Sequence, residues 1–200
     1  MPSPIIHLHG AFLAQKHLAP AFILGTVAPD AIHQRPGATW SDKAKTHFYE
    51  AADKSYELGI EGAKDMLGLK NPLFSLGYLN HLYMDYVWRD FVYAPFFKER
   101  AHKMERSKLH QLYYCQMQQL DRAILQEAFW LQDAKRLLEA AEPLELPLLS
   151  AAEIHGWRLK VLADLKNTKP HSDYPDLFPK EMIDDFFAQI KKLPEEKPRE

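Results

Sequence analysis

An all-α fold is predicted for this 200-residue chain by three features of its sequence. Glycine is scarce, at 8 residues. Runs of alternating apolar and polar residues, the mark of a half-buried strand, are hard to find. Apolar residues recur instead at spacings of three and four, which lays them along one face of a helix.

The first helix is expected over residues 6–17. A short apolar segment, 21–24, follows Pro20 and should stop at Gly25, a glycine C-cap. Residues 26–33 read as a turn entering a short helix, and Arg35-Pro36-Gly37 as a loop. Ser41 is the expected N-cap of a helix over 42–52, and another helix covers 56–67. Asn71 and Pro72 supply an N-cap and a first-turn proline. They open the most apolar helix, which carries Phe74, Leu76, Leu79, Leu82, Tyr83 and Tyr86 and ends between Asp90 and Tyr93, ahead of Pro95. A helix apolar on most faces belongs at the centre of a bundle. A long amphipathic helix follows over 106–129, then one over 133–141 stopped by Pro143. Ser150 caps a helix ending near Lys166, and the last helix runs over 180–192. No repeat and no domain boundary is visible. The expectation is a single domain, 1–192, of seven to nine helices around one core, with a charged, proline-containing tail over 193–200.

Composition narrows the function. The chain is 46% hydrophobic and 26% charged, which suits a globular protein with a sizeable core. Its formal net charge of −2, from 25 basic and 27 acidic residues, argues against a bulk nucleic-acid binder held by a broad basic face. No apolar stretch approaches the ~18 residues of a membrane span. Residues 1–7 have neither a basic n-region nor a long apolar h-region, so a cytoplasmic location is expected. The single cysteine, Cys115, cannot form an internal disulfide or a cysteine-rich zinc site, and is expected to be a buried thiol. Histidines number ten, six of them within the first 81 residues. If a metal is bound, histidine and carboxylate must hold it.

The central helix offers such a pair. His81 and Asp85 are four residues apart, so they share a face one turn from each other. An imidazole nitrogen and a carboxylate oxygen so placed can reach one cation at ~2.0–2.2 Å. The same spacing also yields ordinary His–Asp hydrogen bonds. Asp30 sits in a turn framed by glycine and proline, where its carboxylate either caps a helix or points back to the core. His47 lies early in the next helix. His7 opens the first helix with His9 two residues on, so the two face different ways and at most one can be a ligand.

Taken in order, these motifs resemble those of the zinc-dependent phospholipase C family, whose superfamily includes the fungal single-strand nucleases. The segments are His7, Leu24-Gly25-Thr26-Val27-Ala28-Pro29-Asp30, Thr46-His47-Phe48 and Leu76-Gly77-Tyr78-Leu79-Asn80-His81-Leu82-Tyr83-Met84-Asp85, within roughly residues 5–95. The resemblance implies an all-helical bundle enclosing zinc. Asp30, His47, His81 and Asp85 would hold one ion, and Asp85 would bridge to a second together with His7. Asp30 is also implied as a general base toward the attacking water. The implied reaction is hydrolysis of a phosphodiester or phosphomonoester by metal-activated water. The family's remaining zinc uses a His-x-x-x-Glu pair, and no such pair occurs here. Secreted members also use a freed N-terminal amine, which a chain starting Met1-Pro2 is not expected to offer. One zinc ion, or two bridged by Asp85, is therefore expected, with other divalent ions as substitutes.

His33, three residues after Asp30, and Asp90 are additional candidate ligands. Asp42, Asp90 and Tyr49 are candidates to orient the metal-bound histidines. Lys43, Lys45 and Arg35 flank the site and either hold a substrate phosphate or lie solvated. Asp121 reads as a surface carboxylate beside a base, and His17, His102, His110, His155 and His171 as structural or exposed. The expected partner is a small phosphate-ester substrate. The alternative is a non-catalytic helical protein, with a structural metal or as a binding module on the same fold.

Overall fold

The computed structural model describes residues 1–15, 18–68, 71–126 and 128–191. His17 and the tail 193–200 lie outside these residues. Among them the chain is all-helical, without strands, and forms a multi-helix single domain. No helix is long and apolar enough to cross a membrane.

The first helix, α1, spans Pro4–Ala14. It starts earlier than expected because Ser3 accepts the Ile6 N–H and Pro4 occupies the first turn, a stronger start signal than the apolar pattern. Helix α2 spans Pro20–Val27 and runs through Gly25 instead of ending there. The glycine has a packing role. A Cβ on Gly25 would land on the Phe74 carbonyl of α6, and one on Gly77 would land on the Phe22 carbonyl of α2. The two glycines let α2 and α6 (Pro72–Trp88) cross backbone against backbone. A 3₁₀ segment, Ala28–Gln34, follows α2, fulfilling the expected turn into a short helix. Arg35 fastens its end to the distant α10 (Ala151–Asn167), with Nε 2.6 Å from Glu153 Oε1 and Nη2 3.1 Å from Oε2. Arg35 is thereby engaged in joining two distant segments of the chain.

The helix expected over 42–52 is broken in two. α3, Trp40–Thr46, is capped by Thr39, not Ser41, in a reciprocal capping box with Asp42. Asp42 is thereby used for capping. α4, Tyr49–Ala52, begins after Phe48, which adopts a left-handed φ of 53°. α5 covers Tyr56–Leu67 as expected. α6 ends at Trp88 but the chain does not stop before Pro95. A π-turn, Arg89–Tyr93, sends the Ala94 N–H back to Arg89 O, and Pro95 then sits in the first turn of α7, Ala94–Arg100. The wide turn lets a residue lacking an N–H follow without ending the helical path. The rest are α8 (Arg106–Gln126), α9 (Leu131–Ala140), α10 and α11 (Lys180–Ile190), with Ser150 capping α10 as expected.

The apolar interior is two clusters, not one. Phe22, Leu24, Phe74, Tyr78, Leu82 and Trp157 belong to the first; Ile6, Met84, Trp88, Phe96, Tyr113 and Phe186 belong to the second. Helices α1 and α6 contribute to both. Cys115 is exposed on α8, not buried. Asp121, expected at the surface beside a base, instead accepts a hydrogen bond from Ser3, and burial holds its carboxyl up to about 7.

Candidate metal centre

Five of the polar side chains singled out from sequence meet inside the protein: His7 from α1, Asp30 from the 3₁₀ segment, His47 after α3, and His81 with Asp85 from α6. All five are buried, and His47, His81 and Asp85 have no exposed surface. Ligand atoms of His7, His81 and Asp85 lie within 4.8 Å of one another, as do those of Asp30, His47 and His81. The Asp85 carboxylate stands between two histidine sets. Its Oδ1 is 3.3 Å from His7 Nε2, while Oδ2 is 3.6 Å from His47 Nε2 and 3.9 Å from His81 Nε2. Asp30 Oδ1 is 3.3 Å from His47 Nε2. The rings of His7 and His81 stack at 3.8 Å. His9 faces away, edge-on to Phe187 at 4.8 Å, so the choice between the two N-terminal histidines falls to His7.

Neighbouring groups set the ring orientations. His81 Nδ1 donates to Thr26 O at 2.8 Å, which turns its Nε2 toward the cluster. The Thr46 hydroxyl donates to Lys43 O, so the proton between Thr46, Lys43 O and His47 belongs to His47 Nδ1. Both histidines thus keep Nε2 as an acceptor in the neutral ring, and the two nitrogens face each other at 3.3 Å. Two of the tyrosines on α6 hold this segment in place: Tyr78 donates to Thr46 O at 2.7 Å and Tyr86 to His47 O at 3.0 Å. The left-handed Phe48 matters here as well. Residues two apart on a helix point in nearly opposite directions, yet His47 and Tyr49 both reach Asp85, with Tyr49 donating to Oδ2 at 2.8 Å.

The electrostatics keep both carboxylates ionised inside the protein. Burial alone would raise Asp85, but the surrounding imidazoles of His7, His81 and His47 hold it below the ordinary carboxylate range. Burial likewise opposes ionisation of Asp30, and Lys43, His33 and His47 overcome it to keep that carboxyl well below its usual value. Burial and the nearby His7 lower His81 to about 3, leaving it neutral at neutral pH. Burial and Asp85 push Tyr49 upward, so it stays a donor. Both nitrogens of His7 and Oδ1 of Asp85 are buried without a hydrogen-bond partner. His7 Nε2 and Asp85 Oδ1 face each other at 3.3 Å, and a hydrogen on that nitrogen or a metal ion beside them would satisfy both. Imidazole and carboxylate donors at these separations fit a divalent ion.

The other candidates lie outside this group. His33 is half-exposed, 3.6 Å from Asp30 Oδ1, at the edge of the cluster. Asp90 points elsewhere and accepts from Tyr56. Of the orienting candidates, Tyr49 alone touches a clustered carboxylate. Sequence reading missed Thr26, Tyr78 and Tyr86 as positioning groups. They act through backbone carbonyls and aromatic hydroxyls, which leave no spacing pattern. It also gave Lys43 no more weight than Lys45 and Arg35, yet its ammonium donates to Asp30 Oδ1 at 2.9 Å and is only 15% exposed. A cavity of about 900 Å³ opens over the cluster, lined by Asp30, His33, Lys43, Tyr49, Trp40 and Arg89 among others. Asp30 is the one clustered side chain that reaches it. Comparison with family models, with curated proteins and with solved structures found no match for this chain.

Proposed function

We propose that this protein is a metal-dependent hydrolase of small phosphate esters, holding zinc on Asp30, His47, His81 and Asp85, with His7 on the far side of Asp85. The observation that carries the reading is the buried cluster of three imidazoles and two carboxylates, with both His7 nitrogens and Asp85 Oδ1 lacking hydrogen-bond partners, beneath a cavity that Asp30 lines. The resemblance of the four motifs to the zinc-dependent phospholipases C supplies the reaction class. A divalent ion there supplies Lewis acidity toward a phosphoryl oxygen and lowers the pKa of water. The chain's own groups do the rest. Thr26 O and Lys43 O occupy Nδ1 of His81 and His47, which leaves Nε2 of each as the nitrogen that would hold an ion. Tyr49 holds one oxygen of Asp85 in place. Asp30, kept ionised by Lys43, is the carboxylate placed to accept a proton from water in the cavity.

A second reading has its own support. Four of the five clustered side chains are closed off from the cavity, which is the enclosure a structural ion would have. One set of measurements separates the two. Elemental analysis of protein purified without chelator gives ion identity and count. His81→Ala and Asp85→Ala are each expected to lose the ion, and unchanged metal content in both would overturn the site. X-ray absorption on the loaded protein distinguishes a coordination sphere with solvent from one closed by protein ligands. A panel of phosphodiesters and phosphomonoesters then tests hydrolysis, and metal without turnover of any of them would leave the structural reading.

A further inference from the structure

We propose that Lys43 is the anion-binding half of the site: its ammonium, fixed beside Asp30 at the floor of the cavity, holds a non-bridging oxygen of the phosphate ester. The inference rests on the hydrolase reading above and deepens it.

The placement comes from α3. Lys43 precedes His47 by four residues, so both side chains leave the same face, and Lys43 O is the acceptor that orients His47. The Lys43 side chain then runs inward along the cavity wall. Its Nζ donates to Asp30 Oδ1 at 2.9 Å and lies 3.3 Å from His33 Nε2. An ammonium carries three donors. Two are directed at Asp30 and His33, and the third remains for an occupant of the cavity that Lys43 lines. Arg89 lines the same cavity but is engaged elsewhere, with Nη1 2.7 Å from Asp53 Oδ1 and Nη2 3.2 Å from Tyr56 OH. The Met1 ammonium also lines the cavity, directed at Tyr113 OH at 3.4 Å; among the described side chains on that wall, Lys43 is the cation that donates to the cluster.

Charge favours the same occupant. Asp30 and Asp85 carry two negative charges and Lys43 one positive. A single divalent ion among them leaves one net positive charge, the complement of a phosphodiester monoanion. A largely buried, pre-positioned ammonium also binds an anion without first ordering a long side chain.

The test compares zinc-loaded wild type, Lys43→Met, Lys43→Arg and Arg89→Gln. Zinc content is measured by elemental analysis, and affinity for inorganic phosphate by titration calorimetry. All four should hold the same zinc, with Lys43→Met binding it at least as tightly, since a like charge has been removed. Lys43→Met should lose about 10- to 100-fold in phosphate affinity, the range for a charged hydrogen bond. Lys43→Arg and Arg89→Gln should stay within about threefold of wild type. Should Lys43→Met fail to fold, Lys43→Gln replaces it with the same expectation. Equal phosphate affinity in wild type and the neutral variant, no phosphate binding by zinc-loaded wild type, or a larger loss from Arg89→Gln each overturns the assignment. A wild type that binds no zinc defeats the hydrolase reading instead, so the two failures are distinguishable.

Discussion

Gly77→Ala tests whether the backbone crossing of α2 and α6 builds the site. A methyl on Gly77 would land on the Phe22 carbonyl oxygen and 2.9 Å from both Phe22 C and Thr26 N, where ordinary contact begins near 3.4 Å. The two helices must separate by at least about 0.5 Å, and by more to clear the oxygen, because helical backbone cannot rotate aside as a side chain can. Overpacking of this kind costs about 3 kcal/mol. Alanine recovers up to about 1 kcal/mol over glycine inside a helix. The clash therefore wins, with a net loss of about 2 kcal/mol, or roughly 4–8 °C in a protein this size. The movement also reaches the site. Thr26 O is the acceptor for His81 Nδ1 at 2.8 Å, so drawing α2 away weakens the bond that orients a ligand, and metal affinity should fall together with stability. Thermal unfolding by circular dichroism reads the first effect, and zinc titration reads the second. Gly156→Ala is the control, because the nearest neighbours of its Cβ are atoms of the flexible Gln34 side chain; it should be neutral or gain up to about 1 kcal/mol. If Gly77→Ala melts at or above wild type and binds zinc normally, the crossing does not hold the site together.

Tyr49→Phe removes the donor to Asp85 Oδ2 while keeping the ring against Trp40. It should lower stability by about 1–3 kcal/mol and zinc affinity by about tenfold, measured by denaturant unfolding and by competition with a chelating dye. Zinc at about a thousand times its dissociation constant should add about 4 kcal/mol, raising the melting temperature by roughly 8–16 °C over chelator-treated protein; coincident melts would exclude a buried ion. Asp121 gives a pH prediction. Its folded carboxyl titrates near 7 against an ordinary 3.8, so as pH rises from about 4 to 7 the unfolded chain releases this proton first and wild type loses stability. The melting temperature of Asp121→Asn relative to wild type should therefore climb across that window, and a flat difference would show that the carboxyl is not held protonated.

Legibility in the sequence followed the range of the forces involved. Local signals determined the helical class, the Asn71 and Ser150 caps and the apolar central helix, because three-to-four periodicity and capping chemistry act within a few residues. His81 and Asp85 were readable as a pair for the same reason, since one helical turn fixes their separation. Tertiary structure decided the remainder. Gly25 reads locally as a stop, yet the partner glycine that makes it a crossing point lies on another helix. Phe48 in a left-handed conformation breaks a helix that its sequence favours; nothing local in a phenylalanine announces it, and it lets His47 and Tyr49 converge on one carboxylate. Lys43 is one of three bases that flank the site in sequence, and only packing sets its ammonium against Asp30. The sequence by itself determined which side chains were available for chemistry and which helices carried them. Packing between distant segments decided which side chains face each other, because burial, orientation and charge pairing depend on neighbours that the linear chain does not specify.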